Sequence, residues 1–190
     1  MIKILTITIT LIISTTVQAK NVKTAYFAGG CFWCMEEAFE KIDGVIDVVS
    51  GYSGGNTKNP TYKEVTYGNT GHFEAIEIKY DERKISYKQL LGIFWINIDP
   101  FDSEGQFCDK GYSYRSVVFY NSELEKNLIE TSIINLEKKF NKKIVTYIRK
   151  FDIFYKAESH HQNYYKESFI NYLMYKKGCG RVKSLEKIWN

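Results

Sequence analysis

The chain has 190 residues, of which 44% are apolar and 25% are charged. This balance excludes disordered, collagen-like and multi-span membrane proteins, and the length suits one globular domain that buries a sizeable core. The formal net charge is +4, from 26 basic and 22 acidic residues, and its dispersed distribution gives no indication of a nucleic-acid partner. Aromatic residues reach 16%, and composition alone does not tell whether they fill the core or line a site.

The N-terminal segment has the pattern of a targeting signal. Lys3 precedes an apolar, threonine-rich run, and Val17 and Ala19 have the small-residue spacing of a secretory cleavage site. The run is short for a membrane span, and the alternatives are an uncleaved anchor or a first buried strand. We therefore predict a signal peptide at 1–19 and a mature domain at 20–190, without a stable membrane span, in the periplasm or outside the cell.

The hydrophobic pattern of the remaining chain predicts strands and helices that alternate. Period-two runs indicate strands, and a spacing of three to four residues indicates helices. Strands are predicted at 22–28, 45–52, 72–80, 115–120 and 144–148. Helices are predicted between Cys31 and Gly44, over 86–98, and after Asn121 or Ser122 up to Phe140. We therefore predict an α+β domain in which helices cover a sheet, with the strand order left open.

Cys31 lies where the first predicted strand passes into the first predicted helix, directly after Gly29 and Gly30. A thiol in the first turn of a helix meets unpaired amide groups and the positive end of the helix dipole, and both favour the thiolate. The two glycines let the backbone approach a substrate closely. These features predict a reactive cysteine, although such a junction also arises by chance.

The four cysteines are too sparse for a disulfide scaffold, even in the oxidising compartment that the N-terminal segment predicts. Cys34 follows Cys31 at the CxxC spacing that is typical of redox-active pairs. Half of a zinc site is the alternative, but no second close cysteine pair exists, and His160 with His161 lacks the usual ligand spacing. We therefore predict redox chemistry and no metal.

Glu74 is an acidic residue on an apolar strand face. In the strand predicted over 72–80 it shares its face with Ile76, Ile78 and Tyr80. An acid in such a place loses hydration, so its pKa rises and it stays protonated near neutral pH, where it can donate a proton. The alternative is a carboxylate at a frayed strand end that points into water.

Five blocks of sequence follow one another along the chain. They are Gly30-Cys31-Phe32-Trp33-Cys34, Gly51-Tyr52-Ser53-Gly54-Gly55 with Asn59-Pro60-Thr61-Tyr62, Gly71-His72 before Glu74, Asp109 before Tyr114-Arg115-Ser116, and Glu158 before His161-Gln162. Together they resemble the methionine sulfoxide reductase A family, from roughly Thr24 to the C-terminus, and several spaced motifs make the resemblance specific. It implies a two-layer α+β domain with a ferredoxin-like core. It also implies an enzyme that reduces the S-epimer of methionine sulfoxide, in proteins or free, to methionine.

The resemblance further implies a role for the main residues of the site. Cys31 is the nucleophile that attacks the sulfoxide sulfur, and it becomes a sulfenic acid. Glu74 protonates the sulfoxide oxygen, which accepts hydrogen bonds from the phenols of Tyr62 and Tyr114.

By the same resemblance, Phe32 and Trp33 hold the methyl group of the substrate, and Asp109 supports the site. The block around His161 is expected to be a structural element close by. Electrons arrive through thiols, so we expect no metal and no bound cofactor. We do expect an external thioredoxin-like reductant.

The thiol that resolves the sulfenic acid stays open at this point. Family members differ here, and this chain offers Cys34 as well as Cys179, which lies between two glycines in a tail that could fold over the site. We favour Cys179 over Cys34. Cys108, beside Asp109, is a weaker third candidate and is interpreted as an inert thiol.

Two other classes of protein are compatible with parts of the pattern. A periplasmic thiol-disulfide oxidoreductase also carries a CxxC at a strand-to-helix junction, but the intervening Phe32-Trp33 pair is atypical of it and Glu74 would have no task. A non-enzymatic module that binds ligands through surface aromatics is the more distant alternative.

Overall fold

The computed structural model describes residues 21–190, so the predicted signal peptide lies outside the described residues. A mixed sheet of six strands is the centre of the fold. In chain order the strands are β1 (Val22–Ala28), β2 (Val45–Ser53), β3 (Phe73–Asp81), β4 (Gly105–Gln106), β5 (Asp109–Lys110), β6 (Val117–Tyr120), β7 (Tyr147–Lys150) and β8 (Phe154–Lys156). The spatial order of the sheet is β7-β6-β1-β3-β2-β8, while β4 and β5 form a separate ribbon. Neighbours are antiparallel except β6 and β7, which are parallel.

The helices are α1 (Phe32–Glu40), α2 (Tyr62–Tyr67), α3 (Tyr87–Ile96), α4 (Glu123–Phe140), α5 (Tyr164–Glu167), α6 (Phe169–Gly178) and α7 (Arg181–Trp189). Local sequence fixes where several of them begin. Thr61 and Ser86 each start a helix with a reciprocal capping box, and the Ser122 hydroxyl accepts the Glu125 amide at the start of α4. Such caps stabilise a helix by roughly 1 kcal/mol each. Within residues 21–190, no helix combines the length and apolar character that crossing a membrane requires.

The elements β1-α1-β2-β3-α3-β6 form a βαββαβ unit whose strands lie in the order β6-β1-β3-β2. This is the ferredoxin-like arrangement, so the predicted fold class is confirmed. The core between sheet and helices is strongly aromatic, with the Phe27 ring 5.6 Å from Phe39 and 5.0 Å from Phe94. Much of the aromatic content is therefore core.

Two predicted features need correction. The last predicted strand, 144–148, begins only at Tyr147, because Val145 bonds to the Pro100 carbonyl instead of a neighbouring strand. No helix was predicted around Cys179, but the tail forms α6 and α7, with Gly180 at the junction in the left-handed region. Its buried Tyr172 and Arg181 hold it against the domain.

Gly51 provides a test of the packing between β2 and β8. A Cβ atom there would lie 2.4 Å from the Tyr155 carbonyl oxygen and 2.3 Å from the Phe154 ring. We expect Gly51→Ala to lower the free energy of unfolding by about 1–3 kcal/mol, because backbone must shift. In the control Gly92→Ala no atom lies within 4 Å of the new Cβ, and about 0.5–1 kcal/mol of added stability is expected in helix α3. Urea denaturation measures both, and equal effects would contradict the close approach.

Candidate active site

Cys31 is the N-cap residue of α1, and the Cys34 and Met35 amides of the first turn bond to its carbonyl. The backbone passes very close to its neighbours here: a Cβ on Gly30, whose φ is +80°, would lie 2.5 Å from the Gln106 Cβ. Only glycine fits that position. The chain is thereby bent so that the Cys31 side chain, only 4% exposed, faces a small cavity.

Glu74 is 1% exposed on β3, which confirms its predicted position on the apolar face. The Phe32 amide donates a 3.0 Å hydrogen bond to Oε2, and the buried Oε1 has no hydrogen-bond partner among the described residues. Burial raises the pKa of Glu74 to about 8, with smaller contributions from the nearby Asp109 and Cys34, while the Phe32 amide opposes the shift. A hydrogen bond from the Tyr114 hydroxyl also opposes the shift, but the pKa stays high enough that the carboxyl group is mostly protonated at neutral pH.

The cavity has a volume of about 50 Å³, enough for a group of a few heavy atoms. It is lined by Cys31, Phe32, Trp33, Tyr62, Glu74, Asp109, Tyr114 and Tyr175. Burial raises the pKa of Tyr62 to about 12 and the pKa of Tyr114 further in the same direction, so both phenols keep their protons. The site thus combines a thiol, a protonated acid, two hydrogen-bond donors and an aromatic wall.

Cys31 and Cys34 are both free thiols, buried and hydrogen-bonded to each other. The hydrogen bond from Cys31, together with the charges of Arg181 and Lys176, lowers the pKa of Cys34 to about 7 although burial opposes it. Burial, and then Cys34 itself, raise the pKa of Cys31. The helix N-terminus alone predicts a Cys31 thiolate, but desolvation outweighs it, so the pKa of Cys31 is raised while that of Cys34 is lowered.

Comparisons with known proteins identify the family of the chain. A family model described as peptide methionine sulfoxide reductase matches residues 23–190. The peptide methionine sulfoxide reductase MsrA of Listeria monocytogenes serotype 4a is 45% identical over 172 residues, which cover 90% of this chain and 97% of the relative. The MsrA of Bacillus subtilis strain 168 is 46% identical over 174 residues, with 90% and 98% covered. The chain belongs to the peptide methionine sulfoxide reductase family.

Solved structures support the same assignment for the fold of this reductase. Reduced Mxr1 from Saccharomyces cerevisiae matches with a TM-score of 0.72 and 32% identity, over 77% of this chain and 85% of that one. Methionine sulfoxide reductase A of Corynebacterium diphtheriae matches with a TM-score of 0.70 and 28% identity, over 77% and 74%. The chain is therefore an oxidoreductase that acts on methionine sulfoxide.

A network behind the reductase cavity holds Tyr62 in place. Glu158 accepts hydrogen bonds from the Tyr62 amide at 2.8 Å and from the Tyr52 hydroxyl at 2.7 Å. The His161 ring lies 4.4 Å from Tyr62, and the Gln162 side-chain amide donates 2.9 Å bonds to carbonyl oxygens on both sides. This network agrees with the expectation of a structural block near the site.

Tyr175 on α6 is a cavity residue that the sequence analysis missed. Its hydroxyl donates to the Asp109 carboxylate and also bonds the Cys31 thiol, whose pKa it lowers against the larger effect of burial. A signal existed in the sequence: Tyr172 and Tyr175 are three residues apart, hence on one face of a helix. Because helix α6 was not predicted, the sequence did not show that this face packs against Cys31.

Cys108 and Cys179 form a disulfide, with Cα atoms 5.0 Å apart across a separation of 71 residues. The interpretation of Cys108 as an inert thiol is therefore wrong. The bond joins the β4–β5 turn to the junction of α6 and α7, next to the contact between Asp109 and Tyr175. While this disulfide is present, Cys179 has no free thiol that could react with Cys31.

Proposed function

We propose that this reductase converts the S-epimer of methionine sulfoxide, free or in oxidised proteins, to methionine. It thereby repairs the oxidised proteins. The observation that carries the proposal is the buried Glu74 carboxyl, whose pKa is raised to about 8, beside a buried thiol in a small aromatic cavity. The cavity volume suits a methyl sulfoxide group rather than a whole side chain, so the rest of a protein substrate stays outside.

In the first step the Cys31 sulfur attacks the sulfoxide sulfur. Glu74 delivers its proton to the sulfoxide oxygen, and the phenols of Tyr62 and Tyr114 donate hydrogen bonds to that oxygen as its charge grows. The bond between the substrate sulfur and its oxygen then breaks, the oxygen is transferred as a hydroxyl group to the Cys31 sulfur, and the transient sulfur–sulfur bond opens. Methionine leaves, and Cys31 is a sulfenic acid. Cys31 gives up two electrons and the sulfoxide gains them.

In this cavity, Phe32 and Trp33 hold the methyl group of the substrate. Their rings are 6.0 Å apart, and Tyr164 stacks on Trp33 at 4.0 Å, which keeps the apolar wall in place. Asp109 supports the wall from the other side through Tyr175.

In the second step a thiol displaces the hydroxyl group of the sulfenic acid, and water and a disulfide form. Cys179, the thiol favoured from the sequence, could act only after reduction of the Cys108–Cys179 bond, so we propose Cys34, the alternative, as the resolving thiol. The geometry favours Cys34, because its sulfur already contacts Cys31 and the charges of Arg181 and Lys176 favour its thiolate. A thioredoxin-like dithiol then reduces the enzyme. The yeast protein Mxr1, which shares the fold, is known in a complex with Trx2.

The test of this function is the fate of each epimer. The mature domain is incubated with racemic methionine sulfoxide and dithiothreitol, and both epimers are followed by chiral chromatography. We expect the S-epimer to disappear and the R-epimer to stay. Consumption of neither epimer, combined with rapid reduction of insulin disulfides, would instead indicate a thiol-disulfide oxidoreductase.

The two phenols offer a finer prediction. Tyr62→Phe and Tyr114→Phe should each lower kcat/KM for the S-epimer about 10- to 100-fold, the value of one hydrogen bond to a charged oxygen. Tyr67→Phe is the matched control, since Tyr67 is 81% exposed and should leave kcat/KM unchanged. Unaltered kinetics in both site variants would remove the phenols from the mechanism.

Export to the periplasm or the extracellular space completes the proposal. It is supported by the sequence of residues 1–19 and is compatible with the Cys108–Cys179 disulfide, because such bonds persist in oxidising compartments. N-terminal sequencing of protein recovered from its host should begin near Lys20. An intact Met1 in a cytosolic fraction would contradict export.

A further inference from the structure

The two thiols of the CxxC pair face different cavities. Cys31 lines the small substrate cavity, while Cys34 lines a second one of about 320 Å³ between α1, α6 and α7. Neither cysteine lines the other's cavity. A molecule in the second cavity therefore reaches Cys34 without passing the substrate.

The second cavity carries an excess of cations. It is lined by Cys34, Glu37, Ala38, Lys41, Asn97, Lys176, Arg181, Val182, Leu185 and Glu186. Lys41 and Lys176 are both ion-paired with Glu37, so the three together keep one positive charge. Arg181 adds a second and Glu186 removes one, so the lining as a whole carries a net charge of +1. A small anion is favoured in such a place over a cation.

Arg181 is the most unusual part of this lining. It is 3% exposed, and its guanidinium donates to two backbone carbonyls and the Met35 sulfur, all of them neutral. Its ring contact, with Phe107 at 4.7 Å, is also neutral. The charge of Arg181 also acts on the Asp109 carboxyl, whose pKa it lowers against the larger effect of burial. None of the groups that accept its hydrogen bonds is charged, so a thiolate or an anionic ligand close to it offsets part of the cost of the buried cation.

We propose that this cavity is a reductant site, in which a small thiol that carries carboxylate groups attacks Cys34. Such a thiol fits the volume and the charge, and a protein surface would have to reach Cys34, which is only 5% exposed, through the mouth of the cavity. The inference rests on the proposed function and on a Cys31–Cys34 disulfide. It adds a second recycling route beside the thioredoxin-like protein.

The chemistry of this route balances. The thiolate of the small thiol bonds to the Cys34 sulfur, the Cys31–Cys34 bond breaks, and Cys31 leaves as a thiolate that takes a proton from water. A second small thiol then attacks the small-thiol sulfur of the mixed disulfide. Cys34 is released, and two thiols have become one free disulfide while one protein disulfide has been reduced.

The first experiment locates the mixed disulfide. Enzyme oxidised by one turnover is treated briefly with glutathione, quenched with acid and mapped by mass spectrometry. We expect glutathione on Cys34. Glutathione on Cys31 would show attack from the substrate cavity, and glutathione on Cys108 or Cys179 would make the exposed disulfide the entry point; either result overturns the proposal.

The second experiment blocks the cavity. Val182 is 51% exposed at the lining, so Val182→Trp should fill the opening without disturbing the core. We expect the rate constant for reduction by glutathione to fall at least about tenfold, because the approach to Cys34 is obstructed. Ile170→Trp is the control, because Ile170 is also an exposed aliphatic residue, 71% exposed on α6, but lies outside the cavity lining. Equal rates in both variants would overturn the proposal.

The third experiment tests the charge of the cavity. Lys41→Glu should slow glutathione about three- to tenfold and speed the cationic thiol cysteamine, after correction for the reaction of each with a free disulfide. Parallel changes for both thiols would contradict the charge argument. The methionine formed by pre-reduced enzyme without any reductant should be the same in all variants. If the wild type does not form that first methionine, the proposed function is wrong. If it does form methionine but the thiol experiments give the contrary results, the proposed function stands and the reductant site is wrong.

Discussion

The Cys31→Ser variant is expected to form no methionine from methionine sulfoxide, with a loss on the order of 10⁴-fold or more, as for the nucleophile of other enzymes. A serine hydroxyl is a much weaker nucleophile than a cysteine sulfur, and its oxygen cannot accept the sulfoxide oxygen, whereas the cysteine sulfur does so when it becomes a sulfenic acid. The small cavity and the buried Glu74 stay in place, so binding survives while chemistry does not. Methionine release from a stoichiometric amount of pre-reduced enzyme is the measurement.

Cys34→Ser is the matched control for this nucleophile prediction. It keeps Cys31, so one methionine per enzyme should form, and the sulfenic acid should then persist and react with a sulfenic-acid probe. Further turnovers should be slow unless an external thiol reaches Cys31 directly. Cys179→Ser should cycle normally with dithiothreitol. The opposite pattern, with cycling lost only in Cys179→Ser, would return the resolving role to the C-terminal thiol.

The parts of this fold that sequence predicts well are those in which local pattern and tertiary contact agree. The run at 22–28 alternates and ends at glycine, and β1 has those bounds. The face shared by Glu74, Ile76 and Ile78 follows from the period of two, and all three are buried. For Cys31, the change from strand to helix across two glycines is itself the local signal.

The missed parts depend on contacts between distant segments. Helices α6 and α7 were not predicted, because the exposed apolar residues Phe169, Ile170 and Met174 interrupt a simple amphipathic pattern. The pairing of Cys108 with Cys179 is set by where the β4–β5 turn meets the end of α6. The raised pKa of Cys31 has the same origin, since its desolvation comes from residues far along the chain.

Glu74→Gln is expected to lower kcat/KM for the S-epimer by roughly 10²–10⁴-fold near pH 7, the usual value of a general acid. The amide is almost the same size and still accepts the Phe32 hydrogen bond, so only the proton is lost. Wild-type activity should fall as the pH rises through about 8, the raised pKa of Glu74. The glutamine variant should lack that fall, and unchanged rates at every pH would exclude Glu74 as the acid.

The free energy of unfolding gives a second test of the Glu74 carboxyl, and this test does not depend on catalysis. In the unfolded chain the Glu74 carboxyl loses its proton near pH 4.5, whereas in the fold it keeps the proton to about pH 8. The folded state therefore binds more protons between these values, and the stability that Glu74 contributes is complete below pH 4.5 and is lost as the pH rises through 8. Because each pKa unit corresponds to about 1.4 kcal/mol, Glu74→Gln should be more stable than the wild type at pH 9 by a few kcal/mol, with a smaller gap at pH 5. Urea denaturation at the two pH values measures this gap, and a gap that does not change with pH would place the Glu74 carboxylate in water.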